Sequence, residues 1–555
     1  MKLQKRYKHF IRYREVAQTL IKHGFGFLIK QLGLIDFLKF KKYSPQDEDE
    51  EHELSTAERI RLVVEELGTT FIKVAQLLST RADLLPPDWI TELSKLQDQV
   101  PPFSFTEARN KIQSELGYNP ETLFKTIEKE PLAAASIGQV HKAVLHDGKD
   151  VIIKVRRPGI EEDIKVDLEI LHDLARLLEK RTDWAKMYSL RDIVLEFEEI
   201  LTNELNYLYE GQNIDSFRRN FSQDKNVYIP EVYWDYTTKR VLTMEYVEAI
   251  KLNDDEKLSK MGVDTERVVV NLSEAVFKQI MIHGLFHGDP HPGNVMVFKD
   301  GRIVLLDFGM VGIIDEEMQE KFGNMLIAMI SRNTEAILKN FLALGIVPPD
   351  FNRRELRQDI DRLQHKYYDL PLSKINLGES MNEFLELAFK HDIIMPTEFT
   401  LLAKSFVILE GLITRLAPHT SLMEIAKPFG KDLTKRRFSY SYLKKTFYRN
   451  INEYGELFAE YPKQLSNIFN LIEKGQFKAT LEHKDLNKFV SKMDHMVNRL
   501  AFSIVLASLI VGLSLFLQGA ERSFIWRIPV AEIGFMVAGT MGFWLLISMI
   551  RSGRF

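Results

Sequence analysis

The sequence has no cysteine among its 555 residues and no marked excess of charge of either sign. The missing cysteine excludes disulfide bonds, thiolate metal sites and cysteine nucleophiles. With 74 Lys and Arg against 78 Asp and Glu, the formal net charge is −4, and nucleic acid is not an expected partner. Hydrophobic residues make up 45% and charged residues 27%, a balance typical of a folded chain with several domains.

The most informative stretch runs from His287 to Gly309 and reads HGDPHPGNVMVFKDGRIVLLDFG. Two short apolar runs flank a Lys-Asp-Gly turn at 299–301, a pattern that predicts a β-hairpin. Because a hairpin brings its two ends together, Asn294 and Asp307 are expected to face each other. Oxygen ligands in such a pair suit Mg²⁺ bound to nucleotide phosphates.

Two motifs in this stretch are those of phosphoryl-transfer enzymes. The spacing from Asp289 to Asn294 is that of kinase catalytic loops, and Asp307-Phe-Gly is the metal-binding tripeptide. Each motif alone also occurs as an ordinary loop or strand end, but their order and the hairpin between them favour phosphoryl transfer. Asp289 is therefore predicted to orient the nucleophile, and Asn294 and Asp307 are the predicted metal ligands.

A nucleotide-binding lobe is predicted before this site. A strand, a turn and a second strand are expected over 131–141, with further strands at 151–155 and 241–247. The turn consists of small residues, Ala133, Ala134, Ala135 and Ser136. Small side chains let backbone N–H groups approach phosphates, the task that glycine performs in other loops.

Lys154 ends the run Val-Ile-Ile-Lys, where a strand lysine can bridge the α and β phosphates of a nucleotide. The helix predicted over 190–212 offers Glu204 and Glu210 as glutamates that could hold it. The alternative for a strand lysine is an exposed charge that guards a sheet edge.

The first 30 residues are basic and amphipathic, with eight Lys or Arg and one acid, Glu15, among apolar side chains. Such a segment lies on an anionic membrane surface or packs against the protein's own body. An acidic run at 47–51 predicts a solvated linker. A capping box at Ser55 and Glu58 then opens a helix predicted to continue to Leu78.

On that helix, Lys73 and Gln76 are three residues apart and share a face. The segment 71–76 reads Phe-Ile-Lys-Val-Ala-Gln, and Leu-Ser-Thr-Arg follows at 78–81. Together with the alanine-rich turn and the catalytic stretch, these segments resemble the UbiB family of atypical protein-kinase-like proteins, which is associated with ubiquinone and other isoprenoid-lipid biosynthesis. The resemblance covers roughly residues 55 to 430.

The resemblance implies an α+β, protein-kinase-like fold of two lobes that uses ATP and Mg²⁺. It implies that the helical element carrying Lys73 and Gln76 folds over the active site where a protein substrate would otherwise bind, with Lys73 as a catalytic residue and Gln76 beside the nucleotide. It also implies that Glu204 pairs with Lys73 and that Glu210 pairs with Lys154.

Two positions depart from the family pattern. Ala75 stands where the family's Lys-x-Gly-Gln has glycine, and Asn206 stands where its Glu-x-Asp has aspartate. The added methyl group favours helix, so the fold is expected to survive. The lost carboxylate is expected to alter metal affinity or gating rather than geometry.

The predicted organisation has seven parts along the chain. They are a basic amphipathic segment (1–45), an acidic linker (46–54), an N-terminal helical extension (55–130), a kinase-like N-lobe (131–250), a helical C-lobe (251–430), a helical connector (431–498) and a transmembrane hairpin (499–555). After Asp307 a helix begins near Glu316, which leaves no long activation segment and weakens the case for general protein phosphorylation.

The C-terminal part contains two apolar runs without charges, 500–520 and 533–550, each long enough to span a bilayer. Two spans close in sequence predict a transmembrane hairpin in the cell membrane. Lys and Arg flanking the hairpin outnumber those in its connector, so the catalytic body is expected on the cytoplasmic side. Gly534, Ala538 and Gly542 form a small-residue face that favours helix packing or a homodimer.

These patterns predict a membrane-anchored ATPase or kinase whose partners are membrane lipids, a quinone or isoprenoid-lipid intermediate, and quinone-biosynthesis enzymes. Two alternatives stay open. The His-Gly-Asp and His-Pro-Gly-Asn segments also resemble the aminoglycoside and choline kinase group of small-molecule phosphotransferases. The second alternative is a pseudokinase scaffold that binds nucleotide and recruits lipid-modifying enzymes.

Overall fold

The computed structural model describes residues 2–31, 54–96, 100–182, 185–186, 188–348, 351–368, 370–371 and 374–437, with scattered helical positions between 500 and 540. The chain divides into two units, Met1–Leu443 and Lys444–Phe555. The predicted acidic linker, most of the helical connector and the transmembrane hairpin as an element lie outside the described residues. Among the residues that are described, no helix is both long and apolar enough to cross a membrane.

The helices of the first unit are numbered here in chain order. They are α1 (Lys2–Lys22), α2 (Gly26–Gln31), α3 (Thr56–Leu67), α4 (Thr69–Leu78), α5 (Pro87–Leu93), α6 (Phe105–Leu116), α7 (Pro120–Leu123), α8 (Ile160–Arg181), α9 (Leu190–Glu204), α10 (Tyr207–Asn220), α11 (Asp255–Lys260), α12 (Thr265–Lys278), α13 (Glu316–Ile330), α14 (Thr334–Leu344), α15 (Arg353–Tyr368), α16 (Leu377–Lys390), α17 (Thr397–Leu416) and α18 (Leu422–Arg437).

The strands of this unit are likewise numbered in chain order. They are β1 (Phe124–Ile127), β2 (Ala133–Ala134), β3 (Gly138–Leu145), β4 (Asp150–Arg156), β5 (Val227–Tyr228), β6 (Val241–Glu245), β7 (Ile250–Lys251), β8 (Leu285–His287), β9 (Val295–Val297), β10 (Ile303–Leu305) and β11 (Val311–Ile313). Helices and small sheets together give the α+β, kinase-like fold that the resemblance implies.

The N-lobe is an antiparallel sheet in the order β1-β3-β4-β6, with β2 paired to β3. Val151, Ile153 and Val155 of β4 are fully buried and pack against α6 and β1. Because side chains alternate along a strand, Lys154 lies on the opposite face of the sheet. The predicted second strand of 131–141 and the strands at 151–155 and 241–247 are confirmed. Ala133 and Ala134, which were predicted in the turn, instead form β2, because they pair with Val140 and Gln139 of β3.

Strand β1 corrects the prediction of a helical stretch continuing to Glu130. The structure has α6, the one-turn helix α7 and then β1, whose Phe124 is fully buried with Ile112 of α6. Packing of Phe124 into the sheet core outweighs the local helical pattern, because tertiary burial commonly overrides intrinsic propensity.

Two predicted helices are each split in two. Gly68, with φ of 88°, separates α3 from α4. Asn206 separates α9 from α10, since its side chain accepts a hydrogen bond from Leu208 N at 3.2 Å and caps the second helix. Asn333 in the same way caps α14, after Arg332 adopts a φ of 54°. Asparagine favours such cap positions over helix interiors. The capping box at Ser55 and Glu58 is confirmed.

The basic segment at the N-terminus forms α1 and α2 and packs on the body of the first unit. Val16 and Phe25 are buried against α3 and α4. Arg12 donates hydrogen bonds to Asp167 of α8 at 2.7 Å and to the Leu67 carbonyl at 2.6 Å. Of the two placements expected for this segment, the structure shows packing against the protein's own body.

The C-lobe is mainly helical and surrounds two small sheets, β5-β10-β9-β7 and β8-β11. Its core contains fully buried phenylalanines from α12, α13 and α17. Phe322 and Phe406 stack with ring centroids 5.9 Å apart and planes 9° apart. This core fixes α17 against the strands that carry the candidate site.

Candidate active site

The hairpin of β9 and β10 positions the two predicted metal ligands. Leu305 pairs with Val295 across the hairpin, and Leu306 N donates to the Asn294 carbonyl at 2.9 Å. Asn294 and Asp307 therefore leave the same end of the hairpin, as predicted. The ordinary role of such a hairpin is structural, but at this end both strands lead to a residue with side-chain oxygen atoms.

Asp307 is held in a left-handed conformation with φ of 56°, which is uncommon for a residue other than glycine. Its Oδ1 accepts a hydrogen bond from Gly309 N at 3.3 Å. The next residue, Phe308, is buried against Phe217 with ring centroids 4.8 Å apart, and its carbonyl accepts from Asn213 Nδ2 at 3.0 Å. Packing behind Asp307 thus supports the strained backbone.

His287 joins the catalytic loop to the strand before Asp307. Its Nδ1 accepts from Asp289 N at 3.1 Å, so its Nε2 carries the proton and donates to the Leu306 carbonyl at 2.8 Å. The ring is buried. This bridging role of His287 was not predicted from the sequence, although the residue belongs to the motif that identified the loop.

Lys154 is the centre of the charged cluster. Its Nζ lies 2.9 Å from both carboxylate oxygens of Glu210 and 3.5 Å from Asp307 Oδ1. Burial lowers the pKa of Lys154, but the negative charges of Asp307 and Glu210 outweigh it and raise the pKa well above its ordinary value. Lys154, whose side chain is 24% exposed, is therefore a partly buried and paired cation and not an exposed edge charge.

The pKa values of the two carboxylates, Glu210 and Asp307, shift in opposite directions. Burial raises the pKa of Glu210 to about 6, against the attraction of Lys154. The charge of Lys154 lowers the pKa of Asp307 to about 2, with Lys73 adding to the decrease, and the Asp307 side chain is 51% exposed. At neutral pH all three groups are charged, so Asp307 is available as an anionic metal ligand.

The alanine-rich segment pairs with β3, which is the neighbour of the strand that carries Lys154. Ala133 and Ala134 pair with β3, and Ala135 N donates to the Gly138 carbonyl at 2.8 Å. A Cβ on Gly138 would lie 2.4 Å from Tyr207 Oη and 2.7 Å from the Val155 carbonyl, so the close approach requires glycine here.

Two hydroxyl groups near the turn, Ser136 Oγ and Tyr207 Oη, are buried and have no hydrogen-bond partner among the described residues. The Tyr207 ring also lies 5.3 Å from Lys154 Nζ. Buried hydroxyl groups normally find partners, so this pair fits a ligand with acceptor oxygens, such as a phosphate chain. Gly138 and Tyr207 were not predicted as site residues.

The N-terminal extension reaches this cluster through α4. Lys73 Nζ lies 2.7 Å from Glu204 Oε1, the pairing that the resemblance implies. Gln76, expected beside the nucleotide, donates instead to the Leu96 carbonyl at 3.2 Å, which follows α5. The structure thus brings Lys73 to the site and ties Gln76 into the extension.

A buried junction fastens the extension to the remainder of the first unit. Arg81 and Asp83 are 3% and 0% exposed and form a bidentate pair with both N–O distances at 2.9 Å. Arg81 also contacts Glu196 of α9 at 3.2 Å, and Asp83 accepts from Met395 N at 3.1 Å, just before α17. We call these two residues the Arg81–Asp83 junction. It links the extension to both lobes.

Asp289, the predicted catalytic carboxylate, has a partner that the sequence did not suggest. Lys404 of α17 places its Nζ 2.9 Å from Asp289 Oδ1. Asn294 Nδ2 donates to the Asp289 backbone carbonyl at 3.1 Å and holds the loop closed. Lys404 lies 115 residues after Asp289, and no local pattern connects the two.

The donor set at the hairpin suits Mg²⁺. No group of three or more His, Asp or Glu that could hold a metal occurs in the part of the chain that the structure describes. Mg²⁺ is commonly bound through one or two protein ligands, with waters and substrate phosphates completing its shell. Asn294 and Asp307 match that requirement.

The two lobes, the paired Lys154 and Glu210, and the loop with Asp289 and Asn294 define a kinase-like protein. Family models agree: the ABC1 atypical kinase-like domain matches residues 95–341, the UbiB helical domain residues 360–421, and the ABC1/UbiB kinase-like C-terminal domain residues 484–551. The chain belongs to the ABC1/UbiB family of atypical kinase-like proteins, which confirms the resemblance drawn from its motifs.

Relatives match over most of their length. The probable protein kinase UbiB of Marinobacter nauticus is 34% identical over 74% of this chain and 76% of its own. The protein ACTIVITY OF BC1 COMPLEX KINASE 8, chloroplastic, of Arabidopsis thaliana is 30% identical over 99% of this chain and 77% of its own. A Clostridium pasteurianum protein from the hydrogenase 1 5′ region is 33% identical over 98% and 99%.

Proposed function

We propose that this protein binds ATP with Mg²⁺ and transfers the γ-phosphoryl group to water or to an acceptor hydroxyl. The observation that carries the proposal is the position of Lys154, held by both oxygens of Glu210 and 3.5 Å from Asp307. A lysine and glutamate paired beside a metal-binding aspartate form the phosphate-binding arrangement of kinases.

Each residue has a role in this reaction. Lys154 binds the nucleotide phosphates, with the backbone around Ala135 and the hydroxyl groups of Ser136 and Tyr207 close by. Asn294 and Asp307 would hold Mg²⁺, which neutralises charge on the phosphate oxygens when bound. The bond from the γ-phosphorus to its bridging oxygen breaks as the nucleophile's oxygen bonds to phosphorus. The nucleophile's proton passes to Asp289, and ADP leaves.

The acceptor is not expected to be a general peptide. Only Ile314 and Asp315 separate β11 from α13, so the chain has no long segment after Asp307 on which a peptide could dock. The family resemblance supports a role in quinone or other isoprenoid-lipid biosynthesis. We place the protein at the cell membrane, anchored through the predicted hairpin with its catalytic body on the cytoplasmic side.

Access to the site is proposed to depend on the extension. Lys73 pairs with Glu204 next to the charged cluster, and the Arg81–Asp83 junction fixes the segment that follows α4. Opening of the extension would uncover the nucleotide site. The replacement of aspartate by Asn206, which here caps α10, removes one negative charge from this region.

The test reconstitutes the full chain in liposomes of native lipid extract and follows γ-labelled ATP in the presence of Mg²⁺. Label released only as phosphate would define an ATPase, and label on a lipid or a protein would define a kinase and its acceptor. Nucleotide binding without turnover above an Asp307→Asn control would contradict the proposal and favour the pseudokinase scaffold. Phosphorylation of a soluble alcohol by the full chain would favour a small-molecule phosphotransferase.

A further inference from the structure

The catalytic loop carries a negative charge without a cation of its own. Between Asp289 and Asn294 the sequence is Pro-His-Pro-Gly, which contains neither Lys nor Arg. The carboxylate of Asp289 must nevertheless work beside the negative phosphates of a nucleotide. A cation beside this carboxylate would hold it in one orientation, and in this chain that cation comes from another element.

That cation is Lys404 of α17, whose Nζ lies 2.9 Å from Asp289 Oδ1. Neighbouring contacts fix the register of α17 against the loop. Ser405 Oγ lies within hydrogen-bonding distance of the His287 carbonyl at 3.4 Å, and Phe406 is buried in the aromatic core. Adjacent residues of one helix thus contact two residues of the catalytic loop, so the pairing of Lys404 is built into the packing of the lobe.

The other two lysines of the site have different partners. Lys154 is engaged by Glu210 and Asp307, and Lys73 is paired with Glu204. Lys404 is the lysine on the side of Asp289, where the nucleophile must bind. The side chains of Lys404 and Asp289 are 29% and 35% exposed, so an acceptor can reach this ion pair.

We propose that Lys404 is a positioning residue for the phosphoryl transfer. It holds the Asp289 carboxylate in one orientation, with one oxygen engaged, so that the carboxylate accepts the nucleophile's proton. The inference rests on the proposed function, since it assigns Lys404 a part in the same reaction. Because Lys404 acts through Asp289, its removal slows the chemical step and leaves nucleotide binding intact.

The test compares ATP turnover by the full chain in liposomes for Lys404→Met, Lys404→Arg, Asp289→Asn and the double variant Lys404→Met with Asp289→Asn. Lys260→Met is the control, since Lys260 is exposed on α11. We expect Lys404→Met to lower kcat by about 10- to 100-fold with KM for ATP unchanged. Lys404→Arg restores most of the rate. The double variant is no slower than Asp289→Asn alone.

Each contrary result has a distinct meaning. If the wild type turns over ATP and Lys404→Met has the same kcat, the inference about Lys404 is overturned, and the proposed function is unaffected. A double variant slower than Asp289→Asn by the full Lys404→Met factor also overturns it, because Lys404 then acts independently of Asp289. Wild-type protein that binds ATP without turnover contradicts the proposed function and this inference together.

Discussion

The ammonium group of Lys73 lies 2.7 Å from the carboxylate of Glu204, and this contact joins the N-terminal extension to the last turn of α9. Both side chains are mostly buried, at 17% and 24% exposed. The same lysine also lowers the pKa of Asp307, after the larger effect of Lys154. The extension therefore contributes charge to the candidate nucleotide site.

Removal of the Lys73 charge should loosen the extension. We expect Lys73→Met to leave Glu204 without this partner and to lower the free energy of opening α4 by about 1 to 3 kcal/mol. Hydrogen exchange of the amides in Thr69–Leu78 measures this directly. Lys95→Met, at a lysine that is 55% exposed, is the control and should leave the exchange of α4 unchanged.

The Arg81–Asp83 junction should be among the most sensitive points for stability. Asp83→Ala leaves a buried guanidinium without its bidentate partner and the Met395 N–H without an acceptor. We expect the free energy of unfolding of the first unit to fall by about 3 to 5 kcal/mol, measured by denaturant unfolding. Glu162→Ala removes an exposed ion pair with Lys8 and should change stability by about 0 to 1 kcal/mol. Equal effects would contradict the account of the junction.

Glycine is required at position 138 but not at position 411. Gly138→Ala would place a methyl group 2.4 Å from Tyr207 Oη and 2.7 Å from the Val155 carbonyl, so the nucleotide-binding turn must shift. We expect ATP binding, measured by calorimetry, to weaken at least about tenfold, or 1.4 kcal/mol. Gly411 in α17 has open space around it, and Gly411→Ala should stabilise the helix by about 0.5 to 1 kcal/mol.

ATP affinity should depend on pH through Glu210. Its pKa is raised to about 6, so the folded protein binds this proton more tightly than the unfolded chain does. The stabilising contribution of protonated Glu210 is therefore present at low pH and lost as pH rises through about 6, where the ion pair with Lys154 forms. As pH falls below that value, Lys154 loses a charged partner and ATP affinity is expected to decrease.

Glu210→Gln provides the control for this dependence. The phosphates of ATP also titrate near pH 6, and they do so equally in experiments with the wild type and with this variant. The ratio of wild-type to Glu210→Gln affinity should be well above one at pH 7.5 and should approach one below pH 6. A ratio independent of pH would show that Glu210 does not control Lys154. Calorimetric titration of ATP across this pH range supplies the measurement.

Local patterns in the sequence predicted much of the fold and part of the site. The hairpin between Asn294 and Asp307, the capping box at Ser55 and the strand bearing Lys154 depend on neighbours in sequence, so short-range rules suffice. The pairings of Lys73 with Glu204 and Lys154 with Glu210 came from the family resemblance. Both are present in the structure, although a sequence without motifs offers no way to choose between the two glutamates.

Features set by tertiary packing were missed. Asn206 fits the interior of a predicted helix as well as its cap, and only the packing of α10 decides between them. Met395 N and Asp83 are 312 positions apart in the sequence, and Lys404 follows Asp289 by 115 residues. Neither contact therefore produces a periodic pattern in the sequence. Phe124 lies in a strand because its burial in the sheet core outweighs the local helical pattern. Such contacts require the three-dimensional arrangement.

Asp307 is proposed to bind Mg²⁺ together with the nucleotide, and calorimetric titration of ATP with and without Mg²⁺ tests this role most directly. Asp307→Asn and Asp300→Asn make the same chemical change at opposite ends of one hairpin. We predict that Mg²⁺ strengthens ATP binding to the wild type and to Asp300→Asn but not to Asp307→Asn. Retention of the full Mg²⁺ effect in Asp307→Asn would contradict the account.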